Sequence, residues 1–341
     1  MNQWKLQELE SGEYEGVYEV IDVQTNYFVI KGQTKCIVFE ENKDLKPGDV
    51  IQAKVHFYKL NQASFEGDFD EKSYYASKGI TNRGKILQYE YIKSIWSLER
   101  MRYYVLDFYS IHLEEKSFSY LKTLFFGMTD LDKEVKEAYS LLYISHILAI
   151  SGLHITFFFS FLVLILQKIF HVKGEGIAVL IIGIYVFFIG YPVACLRAFL
   201  FLALRVWNKK GSIHYTELDI LSVVYIGMVL LFPLKAFQTS FILSFVISFF
   251  LLFMKDFNLS KSKINKAFLS SLICLCSILP FLINLTNQIS IVGILLSFLL
   301  GVILVKCLFP CIVALLFFPI SFYEVIFEAL DKGLVFISKY T

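Results

Sequence analysis

The run ILAISGLHITFFFSFLVLILQKIF, residues 147–170, decides the fold class. It is 24 residues long and carries a single formal charge, Lys168, near its end. A hydrocarbon core of about 30 Å needs roughly 20 helical residues, so Ile147–Phe170 qualifies as a membrane helix. Further apolar runs follow at 177–206, 218–233, 237–254, 267–284 and 289–318. The second is interrupted at Gly190-Tyr191-Pro192, and its halves, 177–190 and 192–206, are each too short to span upright. The last is long enough to bend or re-enter at Pro310. Residues 320–339 read as amphipathic, with Glu324, Glu328 and Asp331 on one side.

Composition agrees. Of 341 residues, 56% are hydrophobic and 18% charged, with a mean hydropathy of +0.60. An ordinary soluble domain is nearer half apolar and a quarter charged. The imbalance is regional: residues 1–146 carry 18 Lys/Arg against 23 Asp/Glu, and residues 147–341 carry 14 against 7. This excludes a soluble single-domain enzyme, a disordered chain and a collagen-like or coiled-coil rod. The expected fold is a polytopic α-helical membrane protein with an N-terminal all-β OB-like soluble domain. Its expected divisions are 1–91 (barrel), 92–146 (helical linker) and 147–341 (helix bundle).

The barrel is read from alternation. Ile51, Ala53, Val55 and Phe57 alternate with Gln52, Lys54, His56 and Tyr58, the period of a half-buried strand. Lys46-Pro47-Gly48-Asp49 is the turn that launches it. Tyr27–Lys31 and Lys35–Phe39 flank Gly32-Gln33-Thr34 as a hairpin. Four or five short strands within residues 14–94 fit a small antiparallel barrel of the OB type. Its aromatics, Tyr27, Phe28, Phe57, Tyr58, Phe65 and Phe69, suit stacking on bases, but the net acidic charge favours a core role and a docking module. Residues 92–126 are helical in pattern, with Ile95, Leu98, Met101 and Val105 on one stripe. With Trp96, Tyr103 and Tyr104 alongside, that helix either lies among lipid headgroups or packs on the barrel.

Loop charges set an orientation. Lys168 and Lys173, then Arg205, Lys209 and Lys210, then Lys255, Lys261, Lys263 and Lys266 fall on alternate connections. Lys235 stands alone in the intervening loops. If 177–206 crosses twice, the basic loops are cytoplasmic and the front domain lies outside. Met1–Glu10 has no charged n-region followed by an apolar h-region, so either a membrane segment stands upstream of residue 1 or the front is cytoplasmic and the charge rule fails; the upstream segment is the favoured expectation.

Polar groups within apolar runs are costly and call for a reason. One set is Ser145-His146 through Ser151-Gly152-Leu153-His154. On a continuous helix His146 and His154 would share a face, with Ser151 on the same side. A second is Gly190-Tyr191-Pro192 followed by Cys195-Leu196-Arg197-Ala198, where Arg197 is the only charge between Glu175 and Arg205. A third is Gln238-Thr239-Ser240 and Ser244. Each has a structural alternative. Arg197 can be satisfied by carbonyls or by Glu217 or Asp219, and the histidines can bond across helices. Ser151-Gly152 can be a close helix contact, while Gln238 and Ser240 can cap a helix.

The six cysteines add no chemistry. Only Cys36 lies in the polar front, so no disulfide forms within it; Cys195, Cys274, Cys276, Cys307 and Cys311 lie in apolar runs. Cys307 and Cys311 share a helix face without a His or carboxylate to complete a metal site. No metal, cofactor or catalytic residue is expected, and the chain is not expected to be an enzyme.

HILAISGLHI, His146–Ile155, resembles the signature of the ComEC-type competence family, inner-membrane channels for transforming DNA. Leu124–Met128 with Val135–Ser140 upstream, and Pro192–Ala198 and Pro233–Phe245 downstream, are similar to the family in the expected order. Phe69-Asp70 and Tyr74–Ile80 resemble the end of its external OB-like domain, so the likeness covers about residues 14–318. The resemblance implies passage of single-stranded DNA through the bacterial inner membrane, with the N-terminal domain in the periplasm. The implied DNA path is His146, Ser151, Gly152, His154, Arg197, Gln238, Ser240 and Ser244, with the helix break at Gly190 and Pro192 offering free backbone N–H groups. Members usually begin with membrane helices, and many end in a metallo-β-lactamase-like domain with an HxHxDH run. Neither feature is in this chain, and there is no GxxxxGK[ST] motif. The expected partners are single-stranded DNA, the lipid bilayer and separate DNA-binding, nuclease and motor components of the competence machinery, with an oligomer admitted. The rivals are an intramembrane serine hydrolase using Ser151 with a His base, and a small-solute transporter.

Overall fold

The computed structural model describes residues 8–24, 27–39, 44–62, 70–76, 78–209, 211, 214–236, 238–256, 269, 272 and 291–340. Its contacts divide the chain into two compact units, Met1–Asp107 and Phe108–Thr341. Of the expected membrane run 267–284 only residues 269 and 272 are described, and Lys210, Lys261, Lys263, Lys266, Cys274, Cys276, Phe65, Phe69 and Phe237 lie outside the described residues.

The first unit is a closed five-stranded barrel of the OB type. β1 (Gly12–Val23), β2 (Phe28–Lys31), β3 (Lys35–Val38), β4 (Asp49–Lys59) and β5 (Ile80–Ser94) close in the order β1-β2-β3-β5-β4. β3 and β5 pair in parallel and every other pair is antiparallel. The expected hairpin is present, with Lys31 opposite Lys35. Alternation in β4 translates directly into burial: Ile51, Ala53, Val55 and Phe57 point into the core, while Gln52 and Lys54 are exposed. β1 and β5 are long rather than short, because each pairs with two neighbours along its length. A short helix, α1 (Glu71–Ala76), precedes β5.

The barrel corner turns on Gly48, at φ +84°. Its N–H donates to Val20 O and its carbonyl accepts from Ile95 N–H, both at 2.7 Å. Asp49 beside it accepts from Lys46 N–H (2.8 Å) and from Arg100 Nη1 (2.7 Å). A Cβ on residue 48 would stand 2.3 Å from the Ile95 carbonyl oxygen, a backbone atom that cannot step aside. Gly79 also has positive φ, +74°, but nothing lies within 4 Å. Gly79→Ala is therefore expected to cost only left-handed strain, about 1–2 kcal/mol. Gly48→Ala adds the clash, and about 3 kcal/mol or more is expected. Limited proteolysis of the barrel in membranes checks this; equal sensitivity of the two variants would refute it.

The second unit is helical. α2 (Leu98–His112) runs across the division between the units and buries none of its side chains. The expected single helix over 92–126 is instead strand to Ser94, then α2, then α3 (Glu115–Phe126), the break at Leu113-Glu114 starting a new ladder. α4 (Lys133–Leu141) and a 3₁₀ turn (Ser145–Ile147) lead to α5 (Gly152–Phe170). α6 (Gly174–Phe188) and α7 (Val193–Asn208) are separated at Gly190-Tyr191-Pro192 as the sequence indicates. α8 (Glu217–Leu231), the single turn α9 (Pro233–Ala236) and α10 (Thr239–Asp256) follow, then α11 (Ile291–Phe317) and α12 (Phe322–Ser338). α11 stays one helix through Pro310 rather than re-entering. Ile155, Ile182, Val186, Leu196, Leu202, Val224, Met228 and Phe241 form the core between α5 and α10. Among the described residues one helix, Gly152–Phe170, is long and apolar enough to cross a membrane; Gly174–Phe188 and Thr239–Phe253 are shorter apolar helices.

α12 docks on α3 and α4 through polar groups. Glu324 accepts Lys116 N–H (2.9 Å), Ser117 N–H (2.8 Å) and Ser117 Oγ–H (2.7 Å) at the start of α3. Tyr120 O–H donates to buried Asp331 (2.6 Å) and stacks on Phe327. Lys116, which pairs with Asp132, stands 3.5 Å from the other Asp331 oxygen, an ion pair without hydrogen-bond geometry.

Candidate functional site

α5 begins five residues later than the apolar run. Ser151 is its N-cap, with extended backbone. Ser151 Oγ accepts Leu153 N–H (3.2 Å), and Ser151 N–H donates to His154 Nδ1 (3.0 Å). This is a capping box in which histidine plays the part usually taken by Glu or Gln. Since Nδ1 accepts a backbone N–H, we assign the ring proton to Nε2. The Ser151 hydroxyl, 2.9 Å from Nδ1, then donates to it as well. His154 is 1% exposed, its ring centred 3.9 Å from that of Phe309, and its Nε2 has no hydrogen-bond partner among the described residues. His146 does not share its face. It sits on the 3₁₀ turn, because the chain between the two histidines is not helical.

Gly152 opens α5 against α7. A Cβ there would be 2.7 Å from Arg197 Nη2 and 3.3 Å from Ala198 Cβ, so glycine is what permits the approach. Arg197 is half-buried, and its Nε donates to Ser244 Oγ on α10 (2.7 Å). The carboxylates considered as its partners are engaged elsewhere. Glu217 pairs with Arg205 at 3.3 Å, and Asp219 closes a capping box with Thr216. Among the described residues no carboxylate lies within ion-pair range of Arg197.

Backbone N–H groups are not freed where the sequence suggested. Gly190 N–H donates to Phe187 O and Tyr191 N–H to Val186 O, closing α6, and Pro192 has none to give. The uncommitted donors of a helix start belong instead to the first turn of α7. Gln238 O accepts Phe241 and Ile242 N–H, so Gln238 starts α10, and Ser240 is exposed on its first turn. Lys235, which sequence reasoning passed over as a site residue, donates Nζ to the Tyr191 carbonyl.

Short connections make α5, α7 and α10 run in one direction. The contacts of Gly152 with Arg197, Arg197 with Ser244 and Lys235 with Tyr191 place their N-termini together. Each helix start carries about half a positive charge. Arg197 and Lys235 add two cations at this end, whereas at the other end Lys209 is paired with Glu175 and Arg205 with Glu217. α6 and α8 run the other way and bring two helix ends, each with about half a negative charge, to the same place. The candidate residues from Ser151 to Ser244 thus collect at an end of the bundle whose formal cations, among the described residues, are Arg197 and Lys235.

The barrel has its own surface cluster. Rings of Tyr27, Phe39, Tyr75 and Tyr74 follow one another at 6.1, 6.4 and 5.1 Å between centroids. Lys78 lies 4.1 Å over Tyr74 and Arg83 4.8 Å over Phe39. The Tyr27 phenol is pushed up to about 12, by burial first and then by Asp22 and its tyrosine neighbours. Phe28 and Phe57 are core, as expected, but Tyr58 is exposed. Sequence reading missed Phe39, Lys78 and Arg83 because strand closure, not sequence spacing, brings them together.

A family model described as Competence protein matches residues 124–341. ComE operon protein 3 of Bacillus subtilis (strain 168) is 25% identical over 311 residues, which cover 86% of this chain and 39% of the relative's length. No solved structure matches.

Proposed function

The chain belongs to the competence protein family, and from that membership we propose that it passes single-stranded transforming DNA across the bacterial inner membrane. In this reading the helical unit is a multi-pass channel and the barrel faces the periplasm. One observation carries it: Arg197, half-buried among apolar helices, is pinned by Ser244 through Nε, and among the described residues its Nη atoms have no hydrogen-bond or ion-pair partner. The Nη donors of its fork remain for phosphate oxygens, which guanidinium binds in a planar, bidentate way. DNA is a polyanion, and the guanidinium of Arg197 supplies the positive charge that such a cargo needs at this end of the bundle. The C-terminal ends of α5, α7 and α10 carry the basic loops, which under the positive-inside rule supports a reading in which the end that holds Arg197 faces outward.

Exposed apolar side chains support contact with lipid. Leu164, Leu180, Ile184, Ile226 and Leu230 are each more than half exposed on α5, α6 and α8, far more than water favours. α6 and α8, at 15 residues each, rise only about 22 Å, so the bilayer around them would thin locally. The aromatic–cation cluster on the barrel is a surface on which bases can stack. No catalysis is proposed: the Ser151 hydroxyl is committed to a helix cap, and among the described residues no acid orients His154. Pulling force and strand cleavage fall to separate motor and nuclease partners.

Deleting the gene is the test, with DNA binding, periplasmic uptake and transformants scored separately. Transformants should vanish while uptake into the periplasm persists. Unchanged transformation would end the proposal.

A further inference from the structure

The step between α6 and α7 is built at a conformational cost. Gly190 takes φ +86°, which glycine tolerates, but the next residue, Tyr191, stands at φ +56°. Left-handed backbone is disfavoured for an aromatic residue, and a residue before proline favours extended backbone. The Tyr191 carbonyl lies ahead of the α7 ladder, which opens with Leu196 N–H donating to Pro192. The donor that reaches it is Lys235 Nζ, from the α9 turn. The same ammonium stands 5.9 Å from the Tyr191 ring centroid and 5.5 Å from that of Phe232.

We propose that Lys235 is a positioning residue for Arg197: by holding the Tyr191 carbonyl it fixes the left-handed step that aims α7. The function assigned to it rests on the reading of Arg197 as a phosphate contact. Lys235 also precedes α10, the helix that carries Ser244. One cation therefore ties together the heads of the two helices that share the guanidinium. A side chain without a donor at 235 leaves the carbonyl unmet and lets the strained step relax toward extended backbone. Arg197 would then lose its register with Ser244 and Gly152.

Four full-length variants test this: Lys235→Met, Lys235→Arg, Tyr191→Gly, and Lys235→Met combined with Tyr191→Gly. Transformants are counted at matched protein level. Cys195, buried on the first turn of α7 with Sγ 3.7 Å from Ile150 O, reports the position of α7 without any DNA. Its alkylation by a membrane-permeant maleimide is followed by mass spectrometry of its peptide. Lys235→Met should lower transformants on the order of tenfold, the loss of one hydrogen bond from a charged group, and should speed labelling of Cys195. Lys235→Arg should stay near wild type on both readouts. Glycine adopts φ > 0 without strain, so Tyr191→Gly should restore both readouts in the double variant. A Lys235→Met protein with wild-type labelling, or a double variant that stays defective, overturns the proposal; the latter result would make Lys235 a direct DNA contact. If Arg197→Ala transforms normally, the DNA premise fails, and labelling alone then decides whether Lys235 holds the step.

Discussion

Arg197→Ala is expected to cut transformants by roughly tenfold to a hundredfold while leaving protein level and periplasmic uptake near normal. The magnitude follows from removing hydrogen bonds made by a charged group, about 1.5–3 kcal/mol, with 1.4 kcal/mol per decade. Alanine also leaves Ser244 Oγ without its donor, but that hydroxyl can still donate to the carbonyl one turn back, as Ser248 Oγ does to Ser244 O (2.7 Å), or to water. Arg197→Lys should fall between the two, since a lysine keeps the charge but loses the fork. Ser151→Ala separates this reading from a hydrolase. As a cap, Ser151 is worth about 1 kcal/mol, which lowers the amount of protein and not the output per molecule. Full activity in Arg197→Ala together with none in normally expressed Ser151→Ala would replace the channel by an enzyme.

The second large effect concerns the docking of α12. Glu324→Ala removes a carboxylate that accepts three hydrogen bonds at the start of α3, and a loss of about 2–3 kcal/mol is expected. Two carboxylates on this helix should also act oppositely with pH. Burial penalises the Glu324 charge, but the bonds from Ser117 and Lys116 outweigh it and hold the group below its usual 4.5. Its contribution is therefore present above that value and is lost as pH falls through the lowered folded value. Asp331 is raised above 3.8, chiefly by burial, with Tyr120 and Lys116 opposing. Its contribution is full below 3.8 and is lost as pH rises through the raised folded value. Thermal unfolding of the full chain in detergent across a pH series should show Glu324→Gln flattening the acid limb. Asp331→Asn, which keeps an acceptor for Tyr120, should flatten the limb above 3.8. Unaltered limbs in both variants would refute the assignment.

The barrel was legible because a half-buried strand writes its burial into alternate positions, as Ile51 to Phe57 do, and because Gly32-Gln33-Thr34 is hairpin chemistry. The break at Gly190-Tyr191-Pro192 was legible for a similar reason, since proline cannot continue α6. The start of α5 was not. Its cap uses histidine where Glu or Gln is the recognisable partner, so Ser151 and His154 read as interior residues of a helix that had yet to begin. The α12 seam was hidden differently. Glu324, Glu328 and Asp331 share a face by spacing, yet Asp331 is buried and Glu328 is exposed beside Lys332. Spacing gives a common face but not what that face meets. Arg197 stood out by being a charge in an apolar run, whereas Lys235 was hidden among loop charges, and only the fold connects it to Tyr191.

Closing the barrel around Cys36 has a chemical consequence. The thiol is 1% exposed, burial raises its pKa, and a side chain on Gly84 would approach its sulfur to 2.5 Å. The nucleophile is the thiolate, and oxidation to sulfenic acid or a mixed disulfide needs room for new atoms on sulfur. The folded barrel denies both, so an oxidising compartment does not age it at this position. Vulnerability is confined to the interval before β5 seals against β3. Modified Cys36 would thus mark the molecules that met an oxidant before they finished folding.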